Sequence, residues 1–282
     1  MSSEVESKRI LQFGPAGRAV VIAVVGFFAL LALVPLYWML QTALQPAALA
    51  VQFPPRLQWP VLDNFVELFG RRHLFRWTLN TMIVSVAVTA LEVLFCSMAG
   101  YAFAKLRFRG RDFLFWLYIG SMMVPGQVTL VPLFVLMARM GLVDTYWGLI
   151  LPFASTPFGV FLMRQQMQTL PSELLDAGRI DGCSEFGLYS RIVMPLVKPG
   201  LAVLAVFTFV GQWNSFLWPL VATRSTEMRL LQVGLAMLQE EVPQRYGLLM
   251  AGATYAAIPI VLIFFLFQRY FLQGVRIGGL KG

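Results

Sequence analysis

Apolar residues fall in long uninterrupted blocks along this chain, separated by short polar segments, with no sustained alternation of the kind strands show. No charged residue lies between Arg18 and Arg56. The stretch from about Val20 to Ala43 therefore crosses the ~30 Å hydrocarbon core of a bilayer at about 1.5 Å rise per residue. A second block runs from about Trp77 to Ala104 and contains one acid, Glu92. Further blocks run from about Phe113 to Met137, Trp147 to Met163, Gly200 to Val221 and Leu248 to Phe267. The pattern predicts an all-α integral membrane protein of six transmembrane helices, with both termini on one side. The first block is too long for the core of a cleaved signal peptide and reads as a permanent anchor.

Charge then orients the helices. With the amino terminus in the cytoplasm, fourteen of the 22 basic residues fall on inner segments, including the dense run Lys105, Arg107, Arg109, Arg111. That excess favours cytoplasmic termini, with Arg71, Arg72 and Arg76 running against it. The expected organisation is a tail over residues 1–18, one membrane domain over 19–272 and a second tail over 273–282. Composition agrees, with 58% hydrophobic residues against 13% charged ones. The net charge of +8 sits between apolar blocks, which fits membrane faces and not a nucleic-acid stripe. Cys96 and Cys183 lie in different environments, so no structural disulfide is expected, and one histidine, His73, supplies no metal site.

The hydrophilic stretch 164–198 is too long for a hairpin and carries charges of both signs. Pro171 suits a first helical turn, with Ser172 and Glu173 at the positive end of the helix dipole. Gly182 is placed to stop that helix in left-handed geometry, Ser184 to cap a second one, and Pro195 to end it. A helix-turn-helix follows. Leu174, Leu175 and Ile180 offer apolar contacts, while Ala177 and Gly178 leave room for another surface to approach.

The sequence Asp176-Ala177-Gly178, three intervening residues, Gly182, nine intervening residues, then Ile192-Val193-Met194-Pro195, resembles the hallmark of permease subunits of ATP-binding-cassette importers: Glu-Ala-Ala, Gly, Ile-x-Leu-Pro at the same intervals. Asp for Glu, Gly for the second Ala and Met for Leu are the departures. Other words narrow the resemblance to carbohydrate-importer permeases of the maltose type: Asn80-Thr81, the run Ala99 to Lys105, Arg179 to Cys183, Trp213 to Leu220, Gln268 to Phe271 and Gly279 to Gly282. The resemblance implies an importer type I permease fold in a bacterial or archaeal inner membrane. It also implies a homologous second permease, two ATPase subunits that bind ATP and Mg, and an extracytoplasmic solute-binding protein. This chain itself would hold no cofactor. Glu173, Leu175, Asp176, Ala177, Gly178, Ile180, Asp181, Gly182, Ile192 and Pro195 would form the ATPase-coupling loop, and Gly279, Lys281 and Gly282 a second ATPase contact.

Other candidates come from polar groups in apolar surroundings. Glu92 is an ionisable residue within a span, the usual mark of a pathway or of a structural pair. Gln127, Gln212 and Asn214 could bond sugar hydroxyls while Trp213 or Trp218 stacks on a sugar face, or they could join helices. Sugars, sugar alcohols and glycerol phosphates all remain open as the solute. An ion-coupled secondary transporter is the competing class, resting on Glu92 alone. No phosphate-binding loop of the G-x-x-x-x-G-K-[ST] type is present, and no catalytic cluster can be assembled, which argues against a membrane-embedded enzyme.

Overall fold

The computed structural model describes residues 14–46, 60–71, 73–241 and 245–278, with side chains up to Gln268 apart from Pro15. The described residues are helical and contain no strand. In chain order the helices are α1 (Pro15–Ala43), α2 (Asp63–Gly70), α3 (Leu74–Lys105), α4 (Arg111–Gly120), α5 (Gly126–Arg139), α6 (Tyr146–Ile150) and α7 (Pro157–Gln168). Then come α8 (Ser172–Ile180), α9 (Glu185–Leu196), α10 (Lys198–Trp213), α11 (Leu217–Ala222), α12 (Leu231–Glu241) and α13 (Tyr246–Gly278).

Three helices, α1, α3 and α13, are each long and apolar enough to cross a membrane. Three bent pairs bring the total to as many as six if each pair counts as one span. Proline explains two of the bends. The residue before a proline is pushed out of helical geometry. Val124 is accordingly extended (φ −86°, ψ 116°) ahead of Pro125, and Thr156 (φ −118°, ψ 148°) ahead of Pro157. The block expected from about Phe113 to Met137 thus turns through 103° between its halves, and the block over 147–163 through 44°. The block expected over 200–221 is corrected as well: α10 ends at Trp213, and α11 starts again at Leu217.

The chain divides into two compact units. In the first, Asn64 is buried and its Nδ2 donates to the carbonyls of Ala43 (2.9 Å) and Gln45 (2.8 Å), closing the end of α1. Glu67 in α2 receives both Arg71 (3.2 Å) and Arg245. Tyr255 meets Phe69 edge to face at 5.4 Å.

The second unit is built on α3, which packs along α7 and α10. Gly100 is where α3 and α7 touch: a Cβ there would lie 2.6 Å from Met163 Cβ and 2.9 Å from the Arg164 backbone nitrogen. At its other end α3 is clamped by polar bonds. Asn80 donates to the carbonyls of Glu227 (2.6 Å) and Arg229 (3.0 Å) and accepts from the Tyr146 hydroxyl (2.7 Å). The Thr81 hydroxyl accepts from the Leu231 N–H at 2.8 Å. Asn80-Thr81 therefore fastens the segment before α12. Asp144, in left-handed geometry (φ 63°), does the same on the other side: its carboxylate accepts from the backbone N–H groups of Arg224 (2.9 Å) and Ser225 (3.1 Å).

Trp77 donates to the Thr226 carbonyl at 2.8 Å, and its ring fills the space a Gly234 side chain would need, 2.1 Å from an added Cβ. Gly234→Val should therefore destabilise the fold by about 1–3 kcal/mol through overpacking, whereas Gly211→Ala, with nothing within 4 Å of the new methyl, should be tolerated. Thermal denaturation of the detergent-solubilised chain compares the two.

Candidate functional site

The hydrophilic segment after α7 folds as a helix, a tight turn and a second helix. Pro171 stands at the N-cap position, one residue before the first turn in which it was expected, and Glu173 lies in that turn, where the helix dipole favours an acid. Gly182 ends it at φ +82°. The N–H of Cys183 reaches the Gly178 carbonyl (2.9 Å) and that of Gly182 reaches the Arg179 carbonyl (3.0 Å), the paired bonds that close a helix through a left-handed residue. Ser184 then caps α9, accepting from the Gly187 N–H at 3.2 Å. Within α9 the stretch Leu188–Val193 is wound as π-helix, an arrangement found often at functional positions.

Helix α8 is amphipathic, and its two faces do different things. Leu175 and Gly178 face inward. Leu175 joins the core formed with Tyr101, Met163, Met167, Leu188, Tyr189 and Val193. A Cβ on Gly178 would come within 2.5 Å of Leu188 and 2.9 Å of Ile192, both on α9. Their side of α8 is covered by this chain's own α9, as an amphipathic helix buries its apolar stripe locally first. Ile192 is half-buried in the same contact. Ala177, Asp176, Asp181 and Glu173 are exposed, as are Gly182 and Pro195. Large apolar groups stand out among them: Leu174 is 45% exposed, Ile180 86% and Phe186 69%.

Polar bonds hold this segment to α3. Arg179 donates to Asp176 (2.8 Å) and Glu185 (2.9 Å), and the other Glu185 oxygen accepts from Tyr101 at 2.8 Å. Arg179 first, and then Tyr101, hold the Glu185 carboxyl below its ordinary range. The Tyr189 and Ser97 hydroxyls are 2.7 Å apart, and Lys105 donates to the Leu170 carbonyl at 2.6 Å. The segment is a ridge fixed to the C-terminal end of α3. Phe186 and the Tyr101–Glu185 link escaped the sequence reading. A large aromatic in a hydrophilic loop was the available signal for Phe186.

Glu92 is buried, 3% exposed, at the junction of α3, α7 and α10. Thr156 donates its hydroxyl to Glu92 and at the same time accepts from the Gly159 N–H at 3.1 Å, capping α7. Thr208 on α10 also bonds the carboxyl. Gly159 has no room for a side chain, since a Cβ would lie 2.7 Å from Cys96 Sγ and 2.9 Å from Glu92 Oε1. The carboxyl thus joins three helices at the bend before α7. Trp213 (0% exposed) and Trp218 (5%) are likewise committed inside: Trp213 stacks with Phe209 at 5.9 Å, and Trp218 donates to the Gly148 carbonyl at 3.1 Å. Neither ring offers a free face for a sugar. Gln127 and Asn214 are exposed, and Gln212 is half-buried. Gly279, Lys281 and Gly282 lie outside the described residues.

Residues 92–277 match the family described as "Binding-protein-dependent transport system inner membrane component". The chain is 41% identical over 262 residues to the arabinooligosaccharides transport system permease protein AraQ of Halalkalibacterium halodurans, covering 93% of each chain. It is 38% identical to AraQ of Bacillus subtilis, covering 97% of this chain and all of that one. It is 34% identical to the maltodextrin transport system permease protein MdxG of Bacillus subtilis, covering 91% and 94%. A chain in the crystal structure of a bacterial ABC transporter importing alginate superposes with a TM-score of 0.80 at 24% identity, over 92% of this chain and 99% of that one.

Because Thr156 serves Glu92 and caps α7 at once, Thr156→Val should cost about 2 kcal/mol or more. Thr129→Val, where the hydroxyl is exposed and bonds only the Gly126 carbonyl, should stay within about 0.5 kcal/mol of the parent. Thermal unfolding in detergent measures both.

Proposed function

This chain belongs to the family of binding-protein-dependent transport system inner membrane components, and on that premise we propose that the ridge formed by α8 and α9 is its docking surface for a separate ATPase. It is a permease subunit of a sugar ATP-binding-cassette importer, with the type I permease fold. The observation that carries the proposal is the exposed apolar group on the ridge, Leu174, Ile180 and Phe186, held on a scaffold tied to α3. Such residues stranded among charges on a hydrophilic segment call for a partner surface.

In this reading the termini and the ridge are cytoplasmic, and the full assembly adds a second permease, two ATPase subunits and an extracytoplasmic solute-binding protein. ATP-driven closure of the ATPases pushes the ridge. The displacement passes to α3 through the Tyr101–Glu185 and Ser97–Tyr189 bonds, and to α7 and α10 through the packed core. ATP and Mg are bound by the ATPases and not by this chain. The tail residues Gly279, Lys281 and Gly282 would add a second contact.

For the solute, we favour an oligosaccharide over a glycerol phosphate, on the names of the two relatives at 41% and 38% identity. Gln127, Gln212 and Asn214 remain the pathway candidates. An ion-coupled mechanism finds no support in Glu92, which is enclosed by threonines and Cys96 instead of facing an aqueous path.

Replacing Ile180 and Phe186 together by Glu should lower ATP-dependent uptake at least tenfold, given about 1.5–3 kcal/mol for each large apolar side chain removed from a buried contact, and should abolish co-purification of the ATPase. Gly182→Val, which forces a branched side chain into left-handed geometry, should lower both in the same direction. Full uptake by the double variant would remove the ridge from the coupling path.

A further inference from the structure

Apart from the tie that Lys105 makes to the ridge, the turn between α3 and α4 has no part in the docking surface. It reads Lys105-Leu106-Arg107-Phe108-Arg109-Gly110-Arg111-Asp112, four bases and one acid. Several of these groups have internal work. Lys105 donates to the Leu170 carbonyl, and Arg111 turns back to the Leu106 carbonyl (3.3 Å) and to Asp112 (3.1 Å). Arg164, 14% exposed, lies with its guanidinium carbon 3.8 Å over the Phe115 ring and also faces Asp112 at 4.0 Å. Gly110, at φ +82°, closes the turn.

These contacts fix the backbone and neutralise Asp112. Arg107 and Arg109 are left over: both are exposed, and neither forms an ion pair among the described residues. Between and beside them, Phe108 (42% exposed) and Phe113 (70%) help line an open hollow of about 430 Å³ that Arg107, Gly110, Arg111 and the paired Asp112 also border. Trp116 and Leu117, exposed on the next turn of α4, continue the apolar surface away from the charges.

The position of the turn decides what such a surface meets. It joins the end of a 32-residue apolar helix to the start of another apolar segment, so its charges lie at headgroup depth and its aromatic rings where the acyl chains begin. Arginine matches phosphate oxygens with a planar fork of donors. A soluble partner could satisfy the two arginines but would reach Trp116 and Leu117 only by entering hydrocarbon.

We propose that this turn is a binding site for an anionic phospholipid, with Arg107 and Arg109 on the phosphate and Phe108 and Phe113 against the upper acyl chain. The site requires only that α3 and α4 lie in a bilayer, so it stands or falls separately from the importer reading.

Native mass spectrometry of the full chain in neutral detergent, offered equal amounts of phosphatidylglycerol and phosphatidylcholine, tests it. The parent should retain phosphatidylglycerol preferentially. R107Q/R109Q should lose about fivefold of that preference per arginine, and R107K/R109K should keep most of it. An unchanged preference in R107Q/R109Q would overturn the proposal. So would displacement of the lipid by an equal concentration of inorganic phosphate, which would make the turn a free-anion site. Loss of ATPase co-purification in R107Q/R109Q with lipid preference intact would assign the turn to a protein partner instead. Should the glutamine variant fail to fold, the parent at low and high salt decides: a preference that does not weaken with salt contradicts a phosphate held by exposed arginines.

Discussion

The backbone of α3 meets that of α7 at Gly100, and the Cys96 and Glu92 side chains of α3 press on Gly159 of α7, so closely that neither glycine has room for a methyl group. Most of the second unit depends on this contact. It lets α3 act as a central staff, gives α7 and α10 a surface to pack against, and leaves a space at Gly159 that Cys96 and the Glu92 carboxyl fill. In a bilayer, helices gain little from hiding apolar surface from one another, so close approach at small residues and a few satisfied polar bonds carry more of the association than they would in water. Glu92 fits that logic. It is a costly residue at such depth, and the structure surrounds it with hydroxyl donors from two other helices.

The same staff anchors the ridge formed by α8 and α9. Its inner face, Leu175 with Leu188, Tyr189 and Val193, continues the core that contains Met163 and Met167 of α7 and Leu204 of α10. Its polar ties end on Ser97, Tyr101 and Lys105, three residues of the last turns of α3. Ile180 and Phe186 thus stand on a segment packed and bonded to three helices and not on a loose loop. The π-wound stretch in α9 and the 80° bend between α9 and α10 are where the ridge is joined to the next helix.

Much of this was legible in the residues. Long apolar blocks predicted helices of membrane length, and Gly182, Ser184 and Glu173 took the stop, cap and first-turn places that backbone geometry assigns to them. What could not be read was tertiary. The prolines at 125 and 157 lie at the breaks, but the residues alone do not give a turn of 103° in one block and 44° in the other. Helices α2 and α12 were missed because each is short and mixed in polarity, ordered by Asn64 and Glu67 in one case and by Trp77 and Thr81 in the other. Gly178 was read as room for another surface, and the residues alone did not say that α9 of the same chain supplies one. Trp213 and Trp218 look like sugar platforms in sequence. Only packing reveals that their faces are used.

The account's central claim is that the exposed apolar ridge touches an ATPase on the cytoplasmic side. A single cysteine at Ile180, with Cys183 changed to Ser and Cys96 left in its buried site, places a reactive thiol on the most exposed of the ridge residues. In membranes holding the assembled transporter, a short thiol–amine cross-linker should join this cysteine to the ATPase subunit, in a yield that changes with ATP. A membrane-impermeant thiol reagent added to intact cells should leave it unlabelled. Labelling from outside, or the absence of any ATPase adduct in an assembly that transports, would contradict the account.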